Sequence, residues 1–275
     1  MNGPAKVVTF ENTELPDLIE LKGVCQSYDG EKTHVLKDVN WLIEDKPKQG
    51  QFIALLGPSG CGKSTILRYL AGLQKPTCGE ILFAEKPNRP RVGMIFQRYS
   101  CFPWLTVAEN ILLGMEVNGI PRSTALKTTE ELIAICGLRG TEKRYAEYPK
   151  LSGEQLQRVA IATQLAMCPK ILLLDEPFGA LDIKTRIEMQ NLINDIWNKM
   201  SDKYEETTFI MVTHDVEEAI FLADEIHIMG TKPWGHFEDR IHVPFAKDRK
   251  QSIKSTDEFI KLSRLVREIM FTVSG

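Results

Sequence analysis

The sequence lacks the features that would place a protein in a membrane, outside the cell or on nucleic acid. None of its apolar runs approaches the roughly 20 residues that a transmembrane helix needs. Residues 1–9 have neither the basic start nor the apolar middle of a secretory signal. A formal net charge of −3 over 275 residues argues against nucleic acid as a partner. We therefore expect a cytoplasmic protein that reaches a membrane only through partner subunits.

Cysteine is also sparse. The chain contains six cysteines and none of them belongs to a C-x-x-C pair, so we expect buried or half-buried thiols rather than metal ligands or disulfides. The six are Cys25, Cys61, Cys78, Cys101, Cys136 and Cys168.

The patterning of apolar residues predicts an α/β protein. Hydrophobic residues make up 43% of the chain, enough for a substantial core in one large domain or two small ones. Helical spacing predicts a mostly helical insertion over about 103–167 and a long helix over 184–200. Short apolar runs predict strands at 18–24, 39–43, 52–56, 81–83, 92–96, 171–174, 209–212 and 226–229.

A glycine-rich loop follows the predicted strand 52–56 and precedes a helix. It fits the pattern G-x-x-x-x-G-K-[ST], which occurs by chance in only ~1% of chains of this length. Its backbone N–H groups and the following helix suit phosphate, Lys63 supplies positive charge, and the hydroxyl of Ser64 suits Mg²⁺. The nucleotide-binding loop is predicted to consist of Gly57, Pro58, Ser59, Gly60, Cys61, Gly62, Lys63, Ser64 and Thr65.

Two further segments carry chemistry in this context. The buried strand at 171–174 runs into Asp175, placed to hold Mg²⁺ directly or through water, and Glu176, placed to polarise an attacking water. Alone, such a carboxylate pair is often structural. About twenty residues earlier, Ser152 and Gln155 have the spacing of a capping box, which predicts a second helix start suited to an anion. An ordinary helix cap is the alternative for that segment.

Taken together, these motifs resemble the nucleotide-binding subunit of an ATP-binding cassette importer. The resemblance covers about 18–229, and the motifs occur in the family's order: Walker A at 57–65, the Q-loop glutamine Gln97, the signature at 151–155, Walker B at 171–176, the D-loop at 180–182 and the switch histidine His214. The resemblance implies a P-loop NTPase (RecA-like) α/β core with a mixed sheet, an antiparallel β subdomain and a helical subdomain inserted at about 99–167.

The resemblance also assigns roles in binding ATP and Mg²⁺. Tyr28 matches the aromatic residue that stacks on adenine. Gln97 joins Ser64 and Asp175 at the metal, while Gln97 and His214 act with Glu176 in hydrolysis. Two such domains meet head to tail, so that the ATP held by one is completed in trans by Leu151, Ser152, Gly153, Glu154, Gln155 and Asp182 of the other.

Within the family, the segment 102–110 is similar to importers of nitrate, sulfonates and taurine. There the segment borders the groove that receives the permease, with Phe102, Trp104 and Leu105 as apolar contacts; packing inside the helical insertion is the alternative. The partners implied are a second cassette chain, transmembrane permease subunits and an external solute-binding protein, at the cytoplasmic face of the inner membrane. The alternatives are a soluble cassette ATPase and an exporter subunit. The sequence of this chain does not identify the solute.

Two features stand apart from the shared motifs. The signature has Glu154 where the family usually has a second glycine, and a carboxylate near a γ-phosphate is electrostatically unfavourable, so we expect its side chain to point outward. Beyond the cassette at 18–246, residues 247–275 predict an amphipathic helical tail, with a capping box at 255–258 and an apolar stripe along the helix. Packing on its own domain is the expected role of the tail, and a subunit contact is the alternative.

Overall fold

The computed structural model describes residues 17–29, 33–46, 50–83, 90–96, 101–145, 151–200 and 207–274. Gln97, to which the sequence assigns a metal-binding and catalytic role, lies outside these residues. No helix within these ranges is long and apolar enough to span a membrane.

Among the described residues, the central sheet has six strands. The candidate site lies at the carboxyl ends of its parallel strands. All residues of its strand at 52–56 are buried, because helices cover both faces of the sheet. The spatial order is β5-β6-β7-β3-β8-β9, parallel except for β9, which pairs antiparallel with β8. The strands are β3 (Phe52–Leu56), β5 (Val92–Ile95), β6 (Ile171–Asp175), β7 (Thr208–Thr213), β8 (Glu225–Gly230) and β9 (His236–His242).

A second, three-stranded antiparallel sheet lies beside the first. It has the order β2-β1-β4 and consists of β1 (Asp17–Ser27), β2 (His34–Glu44) and β4 (Cys78–Phe83). Its apolar side chains share one hydrophobic cluster with strands β3 and β7 and with the first helix. The mixed sheet and the antiparallel subdomain predicted from the sequence are therefore confirmed.

Seven α-helices complete the described fold. Three of them follow β5 and precede β6 in the chain. They pack on one another and form the inserted helical subdomain that the sequence predicts. These three are α2 (Val107–Val117), α3 (Arg122–Ile135) and α4 (Gly153–Ala166), and the others are α1 (Lys63–Ala71), α5 (Ile183–Met200), α6 (Val216–Leu222) and α7 (Asp257–Ser274).

The cysteine prediction is wrong for two residues. Cys25 on β1 and Cys78 on β4 are joined in a disulfide, with a Cα–Cα distance of 5.0 Å. They face each other directly in the antiparallel pairing of the two strands, a proximity that their sequence separation of 53 residues conceals. Cys61, Cys101, Cys136 and Cys168 are free thiols, as predicted.

The C-terminal tail packs on its own domain. A 3-10 turn (Gln251–Ser255) leads into α7, whose residues Phe259 and Val266 are fully buried against the core. The helix is capped by Thr256, whose hydroxyl accepts from the N–H of Phe259, and not by the predicted box at 255–258, because Ser255 still belongs to the 3-10 turn. Just before that turn, the buried Arg249 donates to three carbonyls at the end of α6.

A buried polar network ties the antiparallel sheet to the central sheet. The indole N–H of Trp41 on β2 donates to Nδ1 of His227 on β8 at 2.7 Å, which leaves the ring proton on Nε2, 3.3 Å from Glu225. Arg240 and Lys46 reach the same carboxylate. Burial opposes ionisation of Glu225, yet the bond from His227 and the two cations hold its pKa well below its usual range. Burial also lowers the pKa of His227 below its ordinary 6.5.

This network predicts an acid-sensitive fold. Because the unfolded chain binds a proton at His227 more readily than the folded protein does, the stability that neutral His227 contributes is complete above about pH 6.5 and is lost as the pH falls. For this one proton, the free energy of unfolding should fall by up to about 1.4 kcal/mol for each pH unit of acidification. His227→Asn retains an acceptor for Trp41 but cannot titrate, so chemical denaturation between pH 7.5 and 5.5 should lose that part of the slope.

The matched control is His236→Asn, on β9, where the ring lies near the surface beside Glu238. The pH dependence of stability should be weaker in His227→Asn than in this variant. An unchanged slope in His227→Asn would contradict the assignment of the acid sensitivity to the buried ring.

Candidate active site

Three parallel strands deliver the predicted catalytic residues to one edge of the sheet. β7 lies between β3 and β6, and each runs directly into a loop that carries chemistry: 57–62 after β3, Glu176 after β6 and His214 after β7. In an open parallel sheet, the carboxyl ends of the strands form the ligand-binding crevice. The structure therefore brings together residues that the sequence separates by more than 150 positions.

The phosphate loop is held in shape by backbone conformations that favour glycine. Gly60 and Gly62 have φ angles of 83° and 97°, and Gly62 is the N-cap of α1. A Cβ atom at Gly62 would collide with the buried side chain of Leu36. The loop therefore curls with its N–H groups and the positive end of α1 at one place, as an anion site requires.

Lys63 lies inside this loop. The residue is only 5% exposed, and its ammonium donates to the carbonyls of Gly57 at 2.7 Å and Pro58 at 2.9 Å. Thr65 and Cys61 are buried behind the loop, and burial raises the pKa of the Cys61 thiol. The loop thus offers the ammonium of Lys63 and its backbone N–H groups to a ligand. The Cys61 thiol remains neutral and contributes no charge.

Ser64 and Asp175 form a pair of oxygen donors. The Ser64 hydroxyl donates to Oδ1 of Asp175 at 2.9 Å, which joins the start of α1 to the end of β6. Burial raises the pKa of Asp175, and the adjacent Glu176 adds to that rise against the bond from Ser64. A buried carboxylate beside a second one is stabilised by a cation, and hydroxyl and carboxylate oxygens are ligands that Mg²⁺ prefers. The residues present fit this metal.

Glu176 and His214 face each other across the crevice. Glu176 has a φ angle of 46°, unusual for a residue with a side chain, and its N–H donates to the carbonyl of Val212 at 3.1 Å. Its carboxylate lies 3.6 Å from Nδ1 of His214. Both side chains are solvent-accessible, so a water molecule can reach the carboxylate.

Tyr28 stands at the open end of β1. Its ring is 63% exposed, and its hydroxyl accepts from the amide of Gln74, just beyond α1, at 3.2 Å. An exposed ring held by its edge has a free face for stacking, which suits the predicted contact with a base.

The signature segment forms the predicted helix start. Ser152 is the N-cap of α4, its hydroxyl accepts from the N–H of Gln155 at 3.2 Å, and Gln155 returns a bond to the N–H of Ser152 at 3.0 Å. Leu151 is buried and Gly153 has open space around it. Within the described part of the chain, no hydrogen bond or ion pair links 151–155 to the phosphate loop.

Asp182 serves locally as a helix cap. Its carboxylate accepts from the backbone N–H groups of Lys184 and Thr185 and from the Thr185 hydroxyl, which together lower its pKa. It therefore fixes the start of α5 directly after the turn that follows Glu176.

Gln157 is a residue that the sequence motifs did not single out. It is fully buried on α4, and its amide donates at 2.7 Å to the carbonyl of Pro177, the residue after Glu176. The bond fixes the turn that holds Glu176 in its left-handed conformation. A polar residue on the inward face of an amphipathic helix is the only signal for it in the sequence.

We expect Gln157→Leu to impair hydrolysis more than nucleotide binding. The variant keeps the volume but leaves the Pro177 carbonyl unpaired, at a cost of about 1–3 kcal/mol in the free energy of unfolding. Displacement of Glu176 should lower ATP turnover roughly tenfold to a hundredfold, while ATP affinity changes little, because Lys63 and its loop are untouched. Steady-state hydrolysis and equilibrium binding measure the two effects.

Asn194→Leu is the control, since it also removes a buried amide donor, here to the carbonyl of Arg249 on the far side of α5. It should lower stability without selective loss of turnover. Equal loss of turnover in both variants would contradict a positioning role for Gln157.

The chain is similar to known ATP-binding subunits of transporters. The ABC transporter family profile matches residues 36–179. The chain is 39% identical over 243 residues to the nitrate import ATP-binding protein NrtD of Synechocystis, covering 86% of this chain and 87% of that protein. It is 36% identical over 263 residues to the taurine import ATP-binding protein TauB of Escherichia coli, covering 92% and 97%.

Solved structures show the same fold. One similar structure is a dimeric ATP-binding cassette in a post-hydrolysis state with ADP and phosphate, with a TM-score of 0.64, 29% identity, and coverage of 83% of this chain and 100% of that one. Another is cbiO1 of Clostridium perfringens, with a TM-score of 0.70, 26% identity and coverage of 94% and 98%. The chain therefore belongs to the ABC transporter family and is one of its ATP-hydrolysing subunits.

Proposed function

We propose that this chain hydrolyses ATP to drive the import of a small anion through a membrane permease. The observation that carries the proposal is the convergence of Lys63, the Ser64–Asp175 pair and the Glu176–His214 pair at one edge of the sheet. Similarity to nitrate and taurine import subunits supports the class of solute. Such a subunit works at the cytoplasmic face of the membrane, beside a permease that an external solute-binding protein supplies.

The residues divide the work of hydrolysis. Tyr28 stacks on the base, while residues 57–65 hold the phosphates, with Lys63 at the β- and γ-phosphates. Ser64 and Asp175, with Gln97, would hold Mg²⁺, which neutralises the charge on the phosphate oxygens. Glu176 orients the attacking water and accepts its proton, and His214 positions that carboxylate from 3.6 Å away.

The site is completed by a second cassette chain. In the described part of the chain, two helix starts suit phosphate, those of α1 and α4. The proposed metal ligands Ser64 and Asp175 lie at the start of α1. Ser152 uses its oxygen lone pair to cap α4, so its O–H remains available to a phosphate oxygen. We therefore assign 151–155, together with Asp182, to the ATP held by the partner chain, which places each nucleotide between two subunits.

The permease surface lies on the helical subdomain. The buried amide of Asn110 donates to the carbonyls of Phe102, Leu105 and Thr106 and accepts from the N–H of Phe102, which fixes the turn at 102–105. Phe102 and Trp104 remain 45% and 66% exposed, which supports a surface contact over packing in the core. Beside them, a groove of about 370 Å³ runs between α2 and the end of α4. We assign this groove and turn, including Leu105, to a permease segment.

A mixing experiment tests the composite site. Ser152→Ala and Lys63→Ala proteins are each expected to be inactive, because each lesion affects both sites of a dimer. In a mixed dimer, the two lesions fall on the same ATP and the other site stays intact. Turnover should therefore return to roughly a quarter of the wild-type rate if subunits mix at random and each intact site works independently.

The mixture must be shown to contain mixed dimers, by tags of different mass on the two proteins. If the second cassette is a different chain, the same pair of lesions is divided between the two chains. Turnover no higher than that of the parent variants, in a mixture with mixed dimers, would overturn the assignment of Ser152 to the partner's ATP.

A further inference from the structure

The signature helix carries a carboxylate in its first turn. Glu154 is the second residue of α4, whose start we assign to a phosphate of the partner's ATP, and the inference below rests on that assignment. A carboxylate within several ångströms of a γ-phosphate repels it, and the low dielectric of a closed interface strengthens this repulsion. The helix must therefore keep this charge away from its own N-terminus.

Arg158 lies one turn further along α4 and neutralises this carboxylate. Its Nε donates to Oε1 of Glu154 at 2.8 Å, and its Nη2 lies 2.7 Å from the same oxygen. The two side chains are only 17% and 29% exposed, so water screens the pair weakly. The bond draws the side chain of Glu154 along the helix and away from its start.

The arginine is itself anchored to the helical subdomain. Its Nη1 donates at 3.0 Å to the carbonyl of Cys136, which caps the end of α3 and suits a cation. The adjacent Gly137 leaves room for the guanidinium, because a Cβ atom there would lie 2.9 Å from Nη1. Arg158 is thus fixed at both ends and cannot follow Glu154 if that side chain turns toward the helix start.

The arrangement also keeps backbone donors free for an anion. The capping box engages the N–H groups of Ser152 and Gln155. Among the described residues, none accepts from the N–H groups of Gly153 and Glu154. If the Glu154 carboxylate were released, it could fold back on these donors and occupy the place of a phosphate oxygen.

We propose that Arg158 is a positioning residue for ATP binding in trans, which sequesters the Glu154 carboxylate and keeps the start of α4 attractive to the γ-phosphate. If Arg158 had only a structural role, its loss would be harmful whatever residue stood at position 154. In our proposal the loss is harmful because Glu154 is present, so removal of the charge at Glu154 must repair it.

A double-mutant cycle in the full-length protein, with its partner cassette where one is needed, measures this coupling. Arg158→Met should raise the KM for ATP about tenfold and change kcat less, because repulsion acts on bound ATP before hydrolysis. The double variant Glu154→Gln/Arg158→Met should return the KM to within about threefold of wild type. Arg158→Lys, which keeps the charge, should also restore most of the affinity.

Glu154→Asp provides a second variant that leaves Arg158 and its bond to Cys136 intact. The carboxylate of aspartate is one methylene closer to the backbone, so its bond to the anchored guanidinium is weaker and its charge lies nearer the helix start. The KM should therefore rise again, and this variant keeps the test valid if Arg158→Met does not fold. A double variant as impaired as Arg158→Met, or a KM in Glu154→Asp equal to that of wild type, overturns the proposal.

Ser152→Ala separates this inference from the proposed function. If Ser152→Ala is impaired and the double variant shows no rescue, only the role of Arg158 fails. If Ser152→Ala has the KM and kcat of the wild type, α4 does not contact ATP, and both proposals fall together.

Discussion

The parallel alignment of β3, β7 and β6 is the constraint on which the rest of the site depends. Because the three strands run side by side in one direction, the residues that follow them reach the same crevice whatever their separation in sequence. The bond between Ser64 and Asp175 closes this arrangement by joining α1 to the end of β6. The phosphate loop and the carboxylates are thereby set at fixed distances before any nucleotide binds.

The negative charge of two carboxylates determines which ligands the crevice can bind. Asp175 and Glu176 concentrate negative charge next to Lys63, and the raised pKa of Asp175 expresses the cost of that burial. Nucleotide phosphates would add still more negative charge, which favours the divalent cation and the second helix start that we propose. The Glu154–Arg158 pair follows the same logic, since it removes one carboxylate from a place where phosphate is to bind.

The segment that follows His214 is held in place by contacts with β7 and with the tail helix. His214 is followed by Asp215, which caps α6 by accepting from the N–H groups of Glu217 and Glu218. The buried carboxylate of Glu218 accepts from the hydroxyl of Thr213 at the end of β7. The tail helix α7 lies on α6, and Arg267 pairs with Glu217. The tail therefore stabilises the helix that begins just after His214.

Much of this structure could be predicted from local patterns. Continuous apolar runs gave the central strands, and the capping box at Ser152 formed with Gln155 as its spacing predicts. The capping box at 255–258 failed locally, because Ser255 belongs to the 3-10 turn. The other failures depend on contacts between distant segments. Strand β9 is charged and half-exposed and reads as a loop, and Cys25 meets Cys78 only through strand register. The bond from Gln157 to Pro177, beside Glu176, and the bond from Arg158 to Cys136 likewise join different elements.

The central claim is that each ATP lies between two cassette subunits and that Glu176 orients the water that hydrolyses it. The most direct measurement is the mass in solution of the Glu176→Gln protein, with and without Mg²⁺ and ATP, together with its turnover. We predict turnover reduced by roughly 10²–10⁴ and a stable ATP-bound dimer of twice the 31.2 kDa chain mass. A protein that binds ATP but remains monomeric even when its partner cassette is present, or that turns over within about threefold of the wild-type rate, would contradict the account.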